Sequence, residues 1–213
     1  VHYAPHGPID VQALGCDFLA CSAYKFFGPH VGVLWGRRDL LLSLPVYKVR
    51  PSTMELPGRW MTGTQNHEGI AGVGAAIDYL ADLGGRLVKS TLRRDQLRTA
   101  MQAIQAYELI LGMQLLAGLA ERPRFRVWGI RDLGKLSQRT PTVAITAKDA
   151  TPRQVAEHLA KQQIYVAAGN NYALEVSEQL GLEPTGYVRL GLVHTNTPQE
   201  VERTLKALDE LPK

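Results

Sequence analysis

Two stretches near the C-terminus open in the same way, and they constrain the fold more than any other feature of the chain. TPRQVAEHLAKQQ and TPQEVERTLKALDEL each begin with a threonine followed by a proline. Thr151 stands at an N-cap position with Pro152 at the first helical position, and Thr197, Pro198 and Glu200 have the spacing of a capping box. A threonine hydroxyl at that point satisfies an otherwise orphan helix N–H, and a proline there forfeits no hydrogen bond. A helix is therefore predicted from each. Apolar runs of strand length sit beside them: RFRVWG and PTVAITA before the first, IYVAAG after it, and YVRLGLV before the second. This alternation, from about residue 123 onward, predicts a small α+β domain in which helices cover one face of a sheet.

The first half reads differently. DFLACSAYKFF and VGVLWG, separated by a Gly28-Pro29 break, are predicted to be two strands joined by a turn that carries Lys25. Pro45, Pro51 and Pro57 then interrupt residues 45–62, which should form an irregular loop leading to TGTQN. Ile70, Val73, Gly74, Ile77, Leu80 and Ala81 recur at helical spacing after Glu68, and this helix should stop at Gly84-Gly85. From Arg86 to Ala120, apolar residues such as Leu87, Leu97, Ile104, Leu111 and Leu115 recur every few positions, predicting a long helix with a kink at Gly112. The expected organisation is a first domain over residues 1–85, a connecting helix over 86–122 and a second domain over 123–213.

Composition narrows the function classes. At 213 residues, 45% apolar and 21% charged, the chain can bury roughly 70% of its extended surface, which excludes a disordered, collagenous or coiled-coil protein. No apolar run looks close to the ~20 residues of a membrane span, so no membrane partner is expected. The net charge of +4 is mild. Basic residues thicken at Arg122, Arg124, Arg126, Arg131, Lys135 and Arg139, but with few aromatics between them they read as a solvated face, not as a nucleic-acid surface. Cys16 and Cys21 are too close together for a disulfide framework and lack the partners of a zinc site, so they read as reduced, buried thiols of a cytosolic protein with no metal centre. The chain opens at Val1 with neither the basic start nor the apolar stretch of a signal peptide.

Lys25 is the candidate reactive group. Ser22, Tyr24, Phe26 and Phe27 flank it, and apolar walls around an amine favour its neutral form, which can attack an aldehyde. A lysine that snorkels to solvent would read the same way. The longer stretch CSAYKFFGPHVGVLWG resembles the lysine segment of the class V aminotransferases, fold-type I pyridoxal-phosphate enzymes that include the cysteine desulfurases. HYAPHGPIDVQALGCDFLACSAYKFFGP, TGTQNHEGIAGVGAAIDYLADLG and GYVRLGLVHTNTPQEVERTLKAL are similar to three further landmarks of that family, in the family's order. The texture is that of the cysteine desulfurase-like subfamily.

The resemblance implies an α/β fold: the C-terminal portion of a fold-type I large domain, followed by a small α+β domain. It implies that Lys25 carries pyridoxal 5'-phosphate as a Schiff base and shuttles the substrate's α-proton. Ser22 would donate to the cofactor phosphate, and His2 would bond the cofactor's phenolic oxygen. Gly63 and Thr64 match the loop that, in relatives, binds the phosphate across a homodimer interface. Arg189 matches the arginine that grips the substrate α-carboxylate, while His67 and Asn170 are expected to contact substrate.

Departures from the family pattern matter as well. The aspartate that holds the pyridine nitrogen and the aromatic that stacks on the ring would both precede Val1, so the sequence is expected to be a fragment or to associate with a missing half. The region where desulfurases carry a nucleophilic cysteine reads VAAGNNYALEV, without one. Tyr24 stands before the lysine where desulfurases have histidine, and as a phenol it can stack or donate a proton. The expected function is a pyridoxal-phosphate enzyme acting on an amino acid by C–S lyase or other β-eliminating chemistry. A class V transaminase, an amino-acid epimerase, and a non-catalytic dimerising fragment remain as alternatives.

Overall fold

The computed structural model describes residues 1–212. The fold is mixed α/β, and the chain divides into two compact units, Val1–Ala103 and Ile104–Lys213. Among the described residues the sheets are a two-stranded and a four-stranded one.

In the first unit, a single turn of helix, α1 (Val11–Leu14), is capped by Asp10, whose carboxylate accepts from the N–H groups of Gln12 and Ala13. Those two bonds hold the Asp10 carboxyl below its ordinary pKa. Strand β1 (Phe18–Ser22) pairs antiparallel with β2 (Gly32–Gly36), with Ser22 opposite Gly32 and Phe18 opposite Gly36. A short helix α2 (Arg38–Ser43) follows. The proline-interrupted loop expected next is present, and side chains hold it: the Trp60 indole donates to the Leu41 carbonyl at 2.9 Å and Arg59 donates to that of Leu44 at 2.7 Å. Helix α3 (His67–Gly85) then runs as far as the paired glycines, as its spacing predicts.

Helix α4 (Arg93–Ala120) starts later than the apolar periodicity suggests, leaving residues 86–92 outside it. The cause is a second local signal. Ser90 accepts from the Leu92 N–H and donates to Asp95, so it organises a fresh helix start and competes with continuation from α3. From there the helix is unbroken through Gly112.

The second unit combines helices with a sheet. Strands β3 (Phe125–Trp128), β4 (Thr142–Ala147), β5 (Ala167–Gly169) and β6 (Tyr187–Gly191) form an antiparallel sheet in the order β3-β4-β6-β5. Both threonine-proline helices occur, α5 (Pro152–Lys161) and α7 (Pro198–Asp209), each with its capping box complete. A short α6 (Leu174–Gln179) lies between β5 and β6. The strands alternate as a half-covered sheet must: Phe125, Val127, Val143, Ile145, Val188 and Leu190 are buried, while their sequence neighbours are not. The buried set packs with Leu111, Leu115 and Leu119 of α4, Val155 and Leu159 of α5, and Val201, Leu205 and Leu208 of α7.

Two composition-based expectations need correcting. Among the described residues α4 is one helix long and apolar enough to cross a membrane. Its apolar residues are dispersed among glutamines, which hid the run from a search for uninterrupted stretches. Here its buried leucines belong to the core of the second unit, and Glu108 on the same helix is 1% exposed. The basic cluster is also more than a solvated face. Arg122 is paired with Asp209 and Arg124 with Asp149 and the carbonyls of Leu211 and Pro212, so both tie the chain's end to the unit. Arg139 donates to the carbonyls of Ile130, Thr140 and Thr142, and its burial lowers the guanidinium pKa.

Candidate active site

Lys25 lies on a single 3-10 turn, Ala23–Phe26, that leaves β1 directly. Three features close this turn. The Ala23 N–H donates to the Val31 carbonyl at 2.8 Å, the Gly28 N–H returns to the Ala23 carbonyl at 2.9 Å, and Ala23 itself is fully buried. Phe27 ends the turn at φ 70, a left-handed conformation uncommon for a side chain of its size. Gly28 at the next position suits a close approach, since a Cβ there would meet Ala23 Cβ at 3.0 Å and crowd it. The chain thus presents Lys25 from a backbone that has little freedom.

The expected apolar wall is open on one side. Lys25 is half-buried, with Tyr24 47% and Phe27 39% exposed. Its Nζ lies 5.1 Å from the centroid of the Tyr24 ring, and that ring in turn stacks on His30 at 4.9 Å with 25° between planes. Ser22 occupies the N-cap position, yet its hydroxyl makes no capping bond. Cys16 and Cys21 are free thiols, half-buried where full burial was expected, and Cys16 donates weakly to the Val11 carbonyl.

Glycines bring α3 against this turn. A Cβ on Gly69 would lie 2.7 Å from a Val31 methyl carbon, and one on Gly72 would lie 3.0 Å from Pro29. One small-residue face of the helix therefore seats on the segment just after the lysine turn, and an apolar cavity of about 400 Å³ opens between Phe27, Pro29, Ala75 and Tyr79. Asn66 starts the helix by accepting from the Gly69 N–H at 2.8 Å. The Gly63-Thr64 loop precedes it, exposed, with Gly63 at φ 64 and open space where a side chain would stand. Gln65 pins that loop by donating to the carbonyls of Thr62 and Gly63, each at 3.3 Å. His67 is the first residue of α3 and is exposed. His2 is exposed and packs edge-on against the buried His6, with centroids 5.5 Å apart.

Arg189 and Asn170 belong to the second unit. Arg189 is half-buried on β6, with Ala144 opposite it on β4 and Ala167 opposite it on β5. Asn170 follows β5, and its side-chain oxygen accepts from the Tyr172 N–H at 3.2 Å. Its carbonyl accepts from the Tyr187 hydroxyl at 3.2 Å. Asn171 and Tyr172 both have positive φ, so the loop is a tight left-handed bend that leaves Tyr172 fully exposed.

The sequence model of the class-V aminotransferases matches residues 1–204. The chain belongs to the class-V aminotransferase family. A probable cysteine desulfurase of Pseudomonas putida is 32% identical over 217 residues, covering 96% of this chain and 48% of that protein. A probable cysteine desulfurase of Streptomyces coelicolor is 30% identical, covering 98% and 48%. Among solved structures, the apo cysteine desulfurase of Thermococcus onnurineus matches with a TM-score of 0.79 at 27% identity, covering 98% of this chain and 50% of that one. A cysteine desulfurase of Escherichia coli matches at 0.77 and 27%, covering 98% and 49%. The chain spans about half the length of the curated relatives it matches.

Within this class-V chain, three side chains that sequence reasoning passed over shape the surroundings of the candidate residues. They are His30 behind Tyr24, Gln65 across the Gly63 loop and Asn66 at the head of α3. The Asn66 signal was available, because an asparagine three residues before a glycine N–H at the start of an apolar periodic run is an N-cap pattern. His30 and Gln65 act through tertiary or loop geometry that spacing does not encode.

Proposed function

We propose that the chain forms part of a pyridoxal-phosphate-dependent enzyme that acts on an amino acid by cysteine desulfurase-like, β-eliminating chemistry. One observation carries the reading: an amine held on a closed turn, three residues after a serine whose hydroxyl is left out of the cap. The donor set suits an aldehyde that bears a phosphate. Lys25 offers the amine, Ser22 and Thr64 offer hydroxyls, and Gly63 offers backbone that a ligand can approach closely. When bound, the cofactor supplies a conjugated ring that accepts the electron pair left at the substrate α-carbon.

The chain's own groups divide the remaining work. Lys25 would hold the cofactor through its aldehyde carbon, and its amine would be the base placed to take the substrate α-proton. Arg189 grips the α-carboxylate through a planar fork that a lysine would not reproduce. Tyr24, directly under the Lys25 amine, steadies it and can donate a proton to a leaving group. His2 is assigned to the cofactor's phenolic oxygen, and His67 and Asn170 to substrate contacts. The arrangement is read as the C-terminal part of a fold-type I large domain followed by a small domain, in a homodimer whose Gly63-Thr64 loops serve the neighbouring subunit's phosphate.

The decisive experiment treats the protein with pyridoxal phosphate and borohydride and maps the adduct by mass spectrometry. We expect one modified lysine, Lys25, absent in Lys25→Ala, in a sample that light scattering reports as a dimer. A folded protein with no adduct, or with adducts spread evenly over its lysines, would sink the reading. Incubation with L-cysteine then separates the chemistries, because elimination releases sulfide with pyruvate, desulfuration leaves alanine, and transamination leaves the sulfur on the oxo acid.

A further inference from the structure

The sheet of the second unit has one face covered by α4, α5 and α7, and side chains on its other face line up across the strands. Register places Trp128 opposite Ala144, Ala144 opposite Arg189 and Arg189 opposite Ala167. Directly paired residues share a face, so Trp128 and Arg189 stand on the same side with only a methyl group between them. Two strand spacings separate their Cα atoms, about 10 Å. Arg126 shares that face, because it is two residues before Trp128 on β3.

Three details make this row more than a set of exposed side chains. The Trp128 indole donates to the Thr146 hydroxyl at 3.1 Å, which fixes the ring. The central carbon of the Arg126 guanidinium lies over the Trp128 ring, 3.9 Å from its centroid, a cation–π contact that restrains the guanidinium. In the same unit Arg122 and Arg124 are each paired with an aspartate, whereas neither Arg126 nor Arg189 has a carboxylate partner among the described residues. The two residues directly opposite Arg189, Ala144 and Ala167, each carry only a methyl group.

We propose that Arg126 and Trp128 form a second acid-binding position beside Arg189, so that this face takes a small dicarboxylate. The inference rests on the assignment of Arg189 to the α-carboxylate and adds to it a substrate class, an amino acid with an acidic side chain. One carboxylate is gripped by Arg189, the carbon chain crosses over Ala144 against the indole, and the second carboxylate meets the Arg126 fork. Guanidinium is suited to this role because its planar donors match a carboxylate while the ring contact restrains it.

The test uses the indole N–H signal of Trp128 in proton–nitrogen correlation spectra, assigned with Trp128→Phe, during titration with glutarate and with pentanoate. These probes have equal carbon number and differ by one carboxylate. We expect glutarate to bind about tenfold more tightly, as one added charge-assisted pair allows. Arg126→Gln, at an exposed position where the spectra themselves report folding, should bring glutarate to the affinity of pentanoate. Arg189→Gln should weaken both. Equal affinity for the two acids, or a preference that survives Arg126→Gln, overturns the second position while leaving Arg189 as a carboxylate holder. Pentanoate binding that is indifferent to Arg189→Gln instead overturns the Arg189 assignment beneath it. A response to a tetraglutamate peptide with none to glutarate would mark a polypeptide surface and also overturn the proposal.

Discussion

His194 is the residue whose surroundings most clearly make stability depend on pH. It follows β6 and is half-buried, and burial disfavours its imidazolium form, so its pKa is pushed below 6.5 while the charge of Glu108 pulls the other way. A histidine with a lowered folded pKa binds fewer protons folded than unfolded, so stability rises with pH across that interval. Its contribution is complete above about pH 6.5 and is lost as pH falls through the folded value. Urea denaturation at a series of pH values from 7.5 to about 5 should show a falling midpoint, and His194→Gln should flatten that slope. A slope unchanged by the substitution would assign the effect elsewhere. The carboxylates of Asp10, Asp39 and Glu200, whose pKa values are all lowered, lose their contributions only at more acid pH.

Elements in the first unit meet through backbone. A Cβ on Gly84 of α3 would lie 1.8 Å from the Gln96 carbonyl oxygen of α4, a distance that no rotamer change relieves because the obstacle is main chain. Gly84→Ala is therefore expected to cost about 3 kcal/mol, at the upper end of overpacking effects, while Gly74→Ala in the same helix, with open space around its Cβ, should be neutral or slightly stabilising. Thermal unfolding of the two variants checks this contrast directly; equal melting temperatures would refute the packing account. The end of α3 was legible in the sequence because Gly84-Gly85 is a local stop signal. The start of α4 was not, because apolar periodicity continues through residues 86–92 while Ser90 and Asp95 decide the boundary.

Across the molecule, the two sheets differ in how their strands are covered. Strands β4 and β6 are paired on both edges and carry fully buried Val143, Ile145 and Val188, whereas β1 and β2 are paired on one edge each and expose Phe18, Leu34 and Trp35. Local opening is easiest where few apolar contacts must be broken. Amide hydrogen exchange should therefore be slowest in β4 and β6 and faster by at least about tenfold in β1 and β2, a difference of about 1.4 kcal/mol in opening free energy. Comparable protection in both sheets would show that the β1–β2 pair has cover in solution that the described residues do not provide.

The sequence by itself determined those features whose causes are local. Thr151, Thr197 and the prolines beside them start α5 and α7, Gly84-Gly85 ends α3, and apolar alternation marks the inner face of β3, β4 and β6. The same is true of the lysine turn, since Ser22, Lys25 and the Gly28-Pro29 break lie within a few residues of one another. Tertiary structure alone decided the rest. Strand order and register put Trp128, Ala144 and Arg189 in one row, although 44 residues of chain lie between the last two. Stacking put His30 behind Tyr24, and packing turned Arg122, Arg124 and Arg139 from a basic run into ties between distant carbonyls and carboxylates. The physical reason is one of range: caps and breaks act through hydrogen bonds within a turn of helix, whereas a shared sheet face depends on which strands become neighbours.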